Sequence, residues 1–349
     1  MNLPTYSKAA ILTELHKPLL IDEVELPKTL AVGQVLVKVF YSGICGYQLG
    51  EINGVKGSDP YLPHLLGHEG SAEVLAIGAG VQNIAVGDYV VMHWRKGRGI
   101  DAPMPQYQWH GSSLNAGSVT TFNEYAVVSE NRLTPIPNDF NLRLAPLLGC
   151  AVTTGFGVIT NNARVKIGES VVIYGAGGVG LNMVQAAAMV SAYPIIAIDQ
   201  YPEKLLLAQK LGATHIINAA QVDPVEEVES ILGKSKLDIA IDNTGNPQVI
   251  ESCYQLTAKQ GKVILVGVPR QGGNISIYSL PLHFGKIISG SHGGESEPAE
   301  DIPRFIRLFK ANKLELEPII TNEFQFFEIN KAIAGMKDGT IAGRCLIKF

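Results

Sequence analysis

Cys45 in YSGICGYQLG, His68 in HLLGHEGSAEV and Cys150 in LLGCAVTTG each pair a metal-binding side chain with a local setting able to present it. Cys45 follows a β-type run and is next to a glycine, while His68 stands just ahead of another such run with Glu69 beside it. Two thiolates and one imidazole form a known ligand set for catalytic zinc, which keeps its fourth position open for water or substrate. Taken singly, each residue also fits a buried thiol or a hydrogen-bonded structural histidine, and ligand spacings this long are not diagnostic. If the three converge, the chain has a Lewis acid at its centre.

A second constellation is local. VVIYGAGGVG places Gly175, Gly177 and Gly180 after an apolar β-branched run and at the head of a helix, with Gly178 and Val179 among them. Such glycines serve a tight turn, close approach of backbone to a pyrophosphate and close packing of helix on strand, while the helix N-terminus faces the phosphates. In a chain with 37 glycines the bare pattern arises easily by chance, so its context decides. Asp199 closes the next apolar run, IIAID, 19 residues after Gly180, where a carboxylate grips the adenosine ribose hydroxyls of a dinucleotide. A 2′-phosphate within about 4 Å of that carboxylate is repelled by about 4 kcal/mol at an effective dielectric of 20, on the order of a thousandfold in affinity. Gln200 and Tyr201 supply no arginine to reverse this, so NAD is expected rather than NADP. Lys204, in the following helix, either reaches the same ribose or simply faces solvent.

These residues need elements to position them. From Lys8 to about Val128, short β-type runs (AAIL, VLVKVFYSG, SAEVLAIG, DYVVMHW, FNEYAVV) are broken by glycine and proline, which reads as a small β-rich barrel or sandwich. Leu147 to Thr160 opens a helical stretch, after which strands and helices alternate at βαβ spacing as far as KVILVGV, the pattern of a doubly wound parallel sheet. Beyond His292, helices near Ile302 to Ala311 and Asn330 to Met336 and a closing strand CLIKF are expected to return to the first domain.

The 349 residues, 46% hydrophobic, suffice for the cores of two domains. A net charge of -4 leaves no basic footprint for nucleic acid or an anionic membrane, so the expected partner is a small metabolite. No apolar run approaches the roughly 18 residues of a membrane span, and Met1 to Lys8 lacks a signal peptide's charged and apolar regions. Four cysteines are too few for a disulfide framework in a chain of this length, so free thiols or metal ligands in a cytoplasmic protein are expected.

Five motifs in order, GICG, GHEG leading to VGD, LLGCAVTTGFG, YGAGGVG and GRCLIKF, make the chain resemble the zinc-dependent medium-chain dehydrogenases of the alcohol dehydrogenase family over nearly its whole length. The resemblance implies an α/β fold: a Rossmann NAD-binding domain over 151–292 and a GroES-like catalytic domain formed by 1–150 and 293–349. It implies that Cys45, His68 and Cys150 hold one catalytic zinc ion, that Glu69 can approach the metal, and that Arg344 contacts the cofactor pyrophosphate. A homodimer or homotetramer is implied by analogy. In such enzymes the metal lowers the proton affinity of an alcohol oxygen, or polarises a carbonyl, and the nicotinamide takes or gives the hydride.

The chain departs from that family in three places. Tyr47 and Gln48 stand where a small hydroxyl residue and an aspartate are usual, so the phenol of Tyr47 is expected either to take over proton transfer or to wall the pocket. No cysteine lies between Cys45 and Cys150, so the usual four-cysteine structural zinc lobe is replaced by WRKGRGIDAPMPQYQWHGSSLNAG, an expected ordered lobe held by aromatic and proline packing. In it, Trp94 matches a pocket-lining position, and Arg95, Lys96 and Arg98 either attract an anionic substrate or form a solvated loop. Ala72 replaces a usual glycine. Two other functions remain open from sequence: an epimerase or lyase that uses NAD in a closed cycle, and an NAD-binding relative without catalysis.

Overall fold

The computed structural model describes residues 3–349. The chain divides into two compact units, one built from the residues up to Cys150 with Glu297–Phe349, the other from Ala151–Ser296.

The first unit is dominated by β-structure. Its central strand, Gln34–Ile44, alternates Val35, Val37 and Val39 into one core with Val74, Val90 and Met92, while Leu36 turns to a second core with Leu65 and Tyr107. This is the two-residue period of a strand covered on both faces. Around it the larger sheet runs Leu133–Pro135, Tyr89–His93, Glu69–Ile77, Gln34–Ile44, Arg344–Lys348 and Ile320–Gln325, with Tyr125–Ser129 also paired to the central strand. The closing strand lies antiparallel to the central one with Cys345 opposite Ile44, which sets Arg344 close to Cys45. A smaller sheet contains Tyr6–Leu12 and Leu20–Glu25.

The segment in place of the structural zinc lobe forms a hairpin, Tyr107–Trp109 against Ser112–Leu114, that extends this smaller sheet through Leu20–Glu25. Tyr107 is fully buried and its hydroxyl accepts the Val127 N–H at 2.8 Å, and Trp109 Nε1 donates to Asp22 Oδ2 at 2.9 Å. Aromatic side chains with satisfied polar tips do the anchoring here.

The second unit holds the doubly wound sheet. Six parallel strands lie in the order His215–Asn218, Ile195–Asp199, Val171–Tyr174, Leu237–Asp242, Thr257–Leu265, Ile287–Gly290. Numbered along the chain this is 3-2-1-4-5-6, whose switch point lies beside the first strand, where such sheets bind nucleotides. The inner strands VVIY and IIAI are buried along their whole length, as parallel strands covered on both faces must be.

The continuous helical stretch expected from Leu147 to Thr160 is interrupted. Ala145–Gly149 and Ala151–Gly157 are separate helices, with Cys150 between them at φ -148°, ψ -63°, and Val158–Ala163 winds into a π-helical turn. A Cβ at Gly149 would stand 2.4 Å from the Met92 carbonyl oxygen, so the backbone is pressed against a strand just before the break.

Candidate active site

Each of the three ligand candidates is released by the end of an element. Cys45 caps the helix Gly46–Ile52 directly after the central strand, in an extended conformation. His68 precedes the strand Glu69–Ile77 and follows Gly67, whose φ of +91° and lack of a side chain are both required, since a Cβ there would fall 2.3 Å from Thr121 Oγ1. Cys150 sits at the helix break. The two sulfurs and an imidazole nitrogen lie within 4.8 Å of one another, and this is the one such group of three among the described residues.

The donor set fits a zinc ion. His68 Nε2 is buried without a hydrogen-bond partner, while Nδ1 meets the side-chain amide of Gln48. The Gln48 atom that meets Nδ1 is its amide nitrogen Nε2, which fixes the ring's orientation. The same side chain's Oε1 accepts the Cys45 N–H at 2.9 Å, so one buried glutamine orients two ligands. The thiols behave as a pair that shares a proton. A hydrogen bond from Cys150 holds the Cys45 thiol well below its ordinary range against the cost of burial, helped by the charges of Arg344 and His68. Giving that bond, together with burial, pushes the Cys150 thiol up. A divalent cation lets both sulfurs ionise at once.

Glu69 and Arg344 form a second layer. Glu69 is fully buried, lies outside the three-ligand group, and places Oε1 3.4 Å from Arg344 Nε. Gly43 leaves it room, as a Cβ there would stand 2.4 Å from Oε1. Arg344 Nη1 donates to the Ile44 carbonyl at 3.0 Å, and Nη2 has no hydrogen-bond partner among the described residues. The guanidinium's proton is held more firmly than usual, because the negative charges of Glu69, Cys45 and Cys150 outweigh its burial.

Two aromatic rings flank His68: Tyr47 edge-on at 5.8 Å and Trp94 tilted at 6.5 Å. The Tyr47 hydroxyl accepts a hydrogen bond from Lys56, whose ammonium also lies 4.4 Å from the ring centroid. Of the basic loop, Lys96 pairs with Asp101 at 2.6 Å, Arg98 pairs with Glu300, and Arg95 lies 5.9 Å from the Trp94 ring.

In the second unit the glycine turn has the shape its spacing predicts. Gly175 takes φ +94°, Gly177 caps the helix Gly178–Met189, and a Cβ at Gly180 would stand 2.0 Å from the Gly175 carbonyl oxygen. At Gly177 a Cβ would meet nothing within 4 Å, so the backbone there borders open space beside the helix N-terminus, as a pyrophosphate requires. Val179 lies in the first turn of that helix. Asp199 Oδ2 accepts the Ala176 N–H at 2.8 Å, and Oδ1 accepts those of Gln200 and Tyr201 at 2.8 and 3.2 Å, which locks the carboxylate against the turn. Lys204 stands 4.6 Å from the Tyr201 ring centroid.

Three contributors were not assigned from the sequence: the orienting role of Gln48, the Lys56 contact with Tyr47, and the loop Asp242–Gly245. In that loop Asp242 accepts the N–H groups of Thr244 and Gly245, and Asn243 donates to the Gly175 carbonyl at 3.2 Å. The DNTG run after LDIAID was the available signal.

Comparison with known proteins agrees with this geometry. Residues 31–138 match the alcohol dehydrogenase GroES-like domain, and residues 178–311 match the zinc-binding dehydrogenase family. The S-(hydroxymethyl)glutathione dehydrogenases of Synechocystis sp. and Escherichia coli are each 32% identical to the chain, over 95% of it and 97% of their own length. Among solved structures, benzyl alcohol dehydrogenase from Acinetobacter calcoaceticus superimposes with a TM-score of 0.87 at 28% identity, covering 99% of both chains. An alcohol dehydrogenase zinc-binding domain protein from Burkholderia ambifaria does so with a TM-score of 0.89 at 28% identity and the same coverage. These descriptions lend no support to the closed-cycle or non-catalytic readings. The chain therefore belongs to the zinc-dependent medium-chain alcohol dehydrogenases, and is an NAD-dependent zinc oxidoreductase acting on alcohols.

Proposed function

We propose that Cys45, His68 and Cys150 are the ligands of the one catalytic zinc, that the turn from Gly175 to Gly180 with Asp199 seats NAD, and that Tyr47 carries the substrate proton outward. The observation that carries this reading is the convergence of three ligand atoms within 4.8 Å, one of them a buried imidazole nitrogen with no hydrogen-bond partner. Zinc supplies there a Lewis acid that makes an alcohol oxygen easier to deprotonate or a carbonyl easier to reduce. Gln48 orients His68 and the Cys45 backbone, and the Glu69–Arg344 pair backs the thiolates with a fixed cation. Arg344 is assigned to the cofactor on the strength of the family resemblance, its GRCLIKF run being one of the five motifs. Lys204, drawn over Tyr201, is assigned to the adenosine ribose. The Tyr47 phenol stands beside His68, is 36% exposed and is hydrogen-bonded to Lys56, so a proton received at its oxygen has a route to solvent.

The assembly we assign is a homodimer or homotetramer joined at the sheet edge. Strand Ile287–Gly290 ends the parallel sheet, Ile287 is exposed, and Tyr278, Leu280 and Phe284 nearby in sequence are exposed as well. An apolar edge strand of this kind calls for cover. A cytoplasmic setting is supported by four free, buried cysteines. Among the described residues no helix is long and apolar enough to cross a membrane.

Elemental analysis together with NADH absorbance on an alcohol panel tests the reading: one zinc per chain is expected, and chelation removes metal and turnover together. Full activity without the ion overturns it. Tyr47→Phe is expected to slow turnover about a hundredfold with an altered pH profile; an unchanged rate removes Tyr47 from proton transfer. Sedimentation that finds only monomer at micromolar concentration excludes the assigned assembly.

A further inference from the structure

Two cations touch the aromatic rings beside His68, Lys56 on Tyr47 and Arg95 on Trp94, and two more, Lys96 and Arg98, follow Arg95 in sequence; they are not equivalent. Lys96 and Arg98 are neutralised by Asp101 and Glu300, and Arg95 lies over Trp94. Lys56 differs. Among the described residues no carboxylate lies within salt-bridge distance of it: Asp59, three positions on, is taken by His64 at 3.0 Å, and Glu51 on the preceding helix feels its charge only at longer range. Lys56 is exposed, but its backbone is fixed. It sits in a tight turn after the helix Gly46–Ile52, between Gly54 at φ +57° and Gly57 at φ +96°. That turn is closed by Val55 N–H to the Gly50 carbonyl at 3.0 Å and Gly57 N–H to the Gly54 carbonyl at 2.9 Å. The exposed ammonium is held against the Tyr47 hydroxyl and ring. Of its three N–H groups, one is used by that hydroxyl and two remain for a ligand.

We infer that Lys56 reads an anionic group on the alcohol substrate, so that the enzyme prefers alcohols carrying a carboxylate or a phosphate over their neutral counterparts. The inference rests on the assignment of Cys45, His68 and Cys150 as the zinc ligands. The spacings of 5.8 Å from His68 to Tyr47 and 4.4 Å from Tyr47 to the ammonium bring Lys56 within substrate length of the metal centre. Tyr47 lies between the two, and Trp94 lies on His68 too, so the same substrate's carbon skeleton meets ring surface. A held ammonium with free donors beside a ring wall is complementary to a substrate with a reacting hydroxyl at one end and an anion at the other.

The test uses the zinc-loaded, NAD-saturated enzyme and three matched probes: benzyl alcohol, 4-(hydroxymethyl)benzoate and 4-(hydroxymethyl)phenyl phosphate. One charge-assisted hydrogen bond predicts that an anionic probe exceeds benzyl alcohol in kcat/KM by about 10- to 100-fold, mostly through KM and less so at high salt. Which anion is preferred names the source of the charge. In Lys56→Met the ratio of anionic to neutral kcat/KM is expected to fall to near one, and Lys56→Arg is expected to restore most of it. A wild-type ratio near one, or a loss in Lys56→Met that is equal for all three probes, overturns the inference and leaves Lys56 as a prop for Tyr47. If zinc is bound but no probe turns over, the proposed reaction fails separately. Calorimetric affinities of the same probes then decide Lys56: no preference for the anions overturns it.

Discussion

The metal centre of the first unit draws its ligands from positions 45, 68 and 150, each released at the end of a different element, whereas the dinucleotide turn of the second unit is one short run between a strand and a helix. In the first, the chemistry resides in side chains whose meeting depends on the register of a whole sheet and on a helix that breaks at Cys150. In the second it resides in backbone N–H groups, and the side chains matter mostly by their absence. The two sites should therefore fail in different ways. Loss of a ligand should empty the metal site without disturbing the turn, and an added methyl in the turn should spoil nucleotide binding without touching the metal.

The largest effect is expected from Cys150→Ser. It removes one of two thiolates and should lower both zinc content and turnover, the latter by at least about a thousandfold, while NADH binding to the second unit persists. Retained zinc and rate would show that the three-ligand set is not the one in use. Next comes Gly180→Ala. Its Cβ would lie 2.0 Å from a backbone carbonyl oxygen, which has no rotamer through which to yield, so the helix must shift away from the turn. Weakening of NADH binding by about a hundredfold, with a full complement of zinc, is the expected outcome in fluorescence titration. Zinc lost in parallel would break the claim that the two sites are built independently.

The same contrast explains what was legible in the sequence. The glycine turn could be read with its geometry, because every constraint on it is local: a β-branched run before, a helix after, and an acid at the end of the next strand. The run VLVKVFYSG likewise announced its own strand. The zinc ligands could be named only with the help of a resemblance, since nothing in 23- and 82-residue spacings says that three side chains converge. Gln48 was visible as a departure from an aspartate, but its contact with both Cys45 and His68 depends on how the helix after Cys45 faces the strand that follows His68. Lys56 was invisible for the same reason: its meeting with Tyr47 is made by a turn with two left-handed glycines. The helix break at Cys150 was missed because Leu147, Leu148 and Ala151 around it favour helix, whereas the contact that crowds Gly149 comes from a strand distant in sequence.

A smaller effect sharpens the comparison on the cofactor side. Asp199 has two tasks, as an acceptor for three backbone N–H groups and as a charge that repels a 2′-phosphate. Asp199→Asn keeps a carbonyl acceptor and removes the charge. Discrimination against NADP, expected to be on the order of a thousandfold, should then fall to roughly tenfold, read as the ratio of kcat/KM values. An unchanged ratio would place the selection elsewhere in the turn.

Acid should separate the two units most finely. His93, fully buried in the first unit, hydrogen-bonds to the Arg95 carbonyl through Nδ1 at 2.8 Å and to Thr134 Oγ1 through Nε2 at 2.9 Å, and burial brings its pKa down to about 4. The unfolded chain, with an ordinary histidine near 6.5, therefore takes up a proton that the folded one refuses. The contribution is complete above pH 6.5, declines as pH falls, and levels off near 4 after a loss of about 3 kcal/mol, at 1.36 kcal/mol per pKa unit. In the second unit, the fully buried Asp242 has the opposite sign: burial raises its carboxyl above the ordinary value, so acid relieves rather than loads it. Hydrogen exchange between pH 6.5 and 4 should thus show protection declining in strands Tyr89–His93 and Leu133–Pro135 before Leu237–Asp242. His93→Gln should blunt that decline while changing little at neutral pH. Simultaneous loss in both units, or a decline unaltered by the substitution, would show that the buried histidine does not set the order.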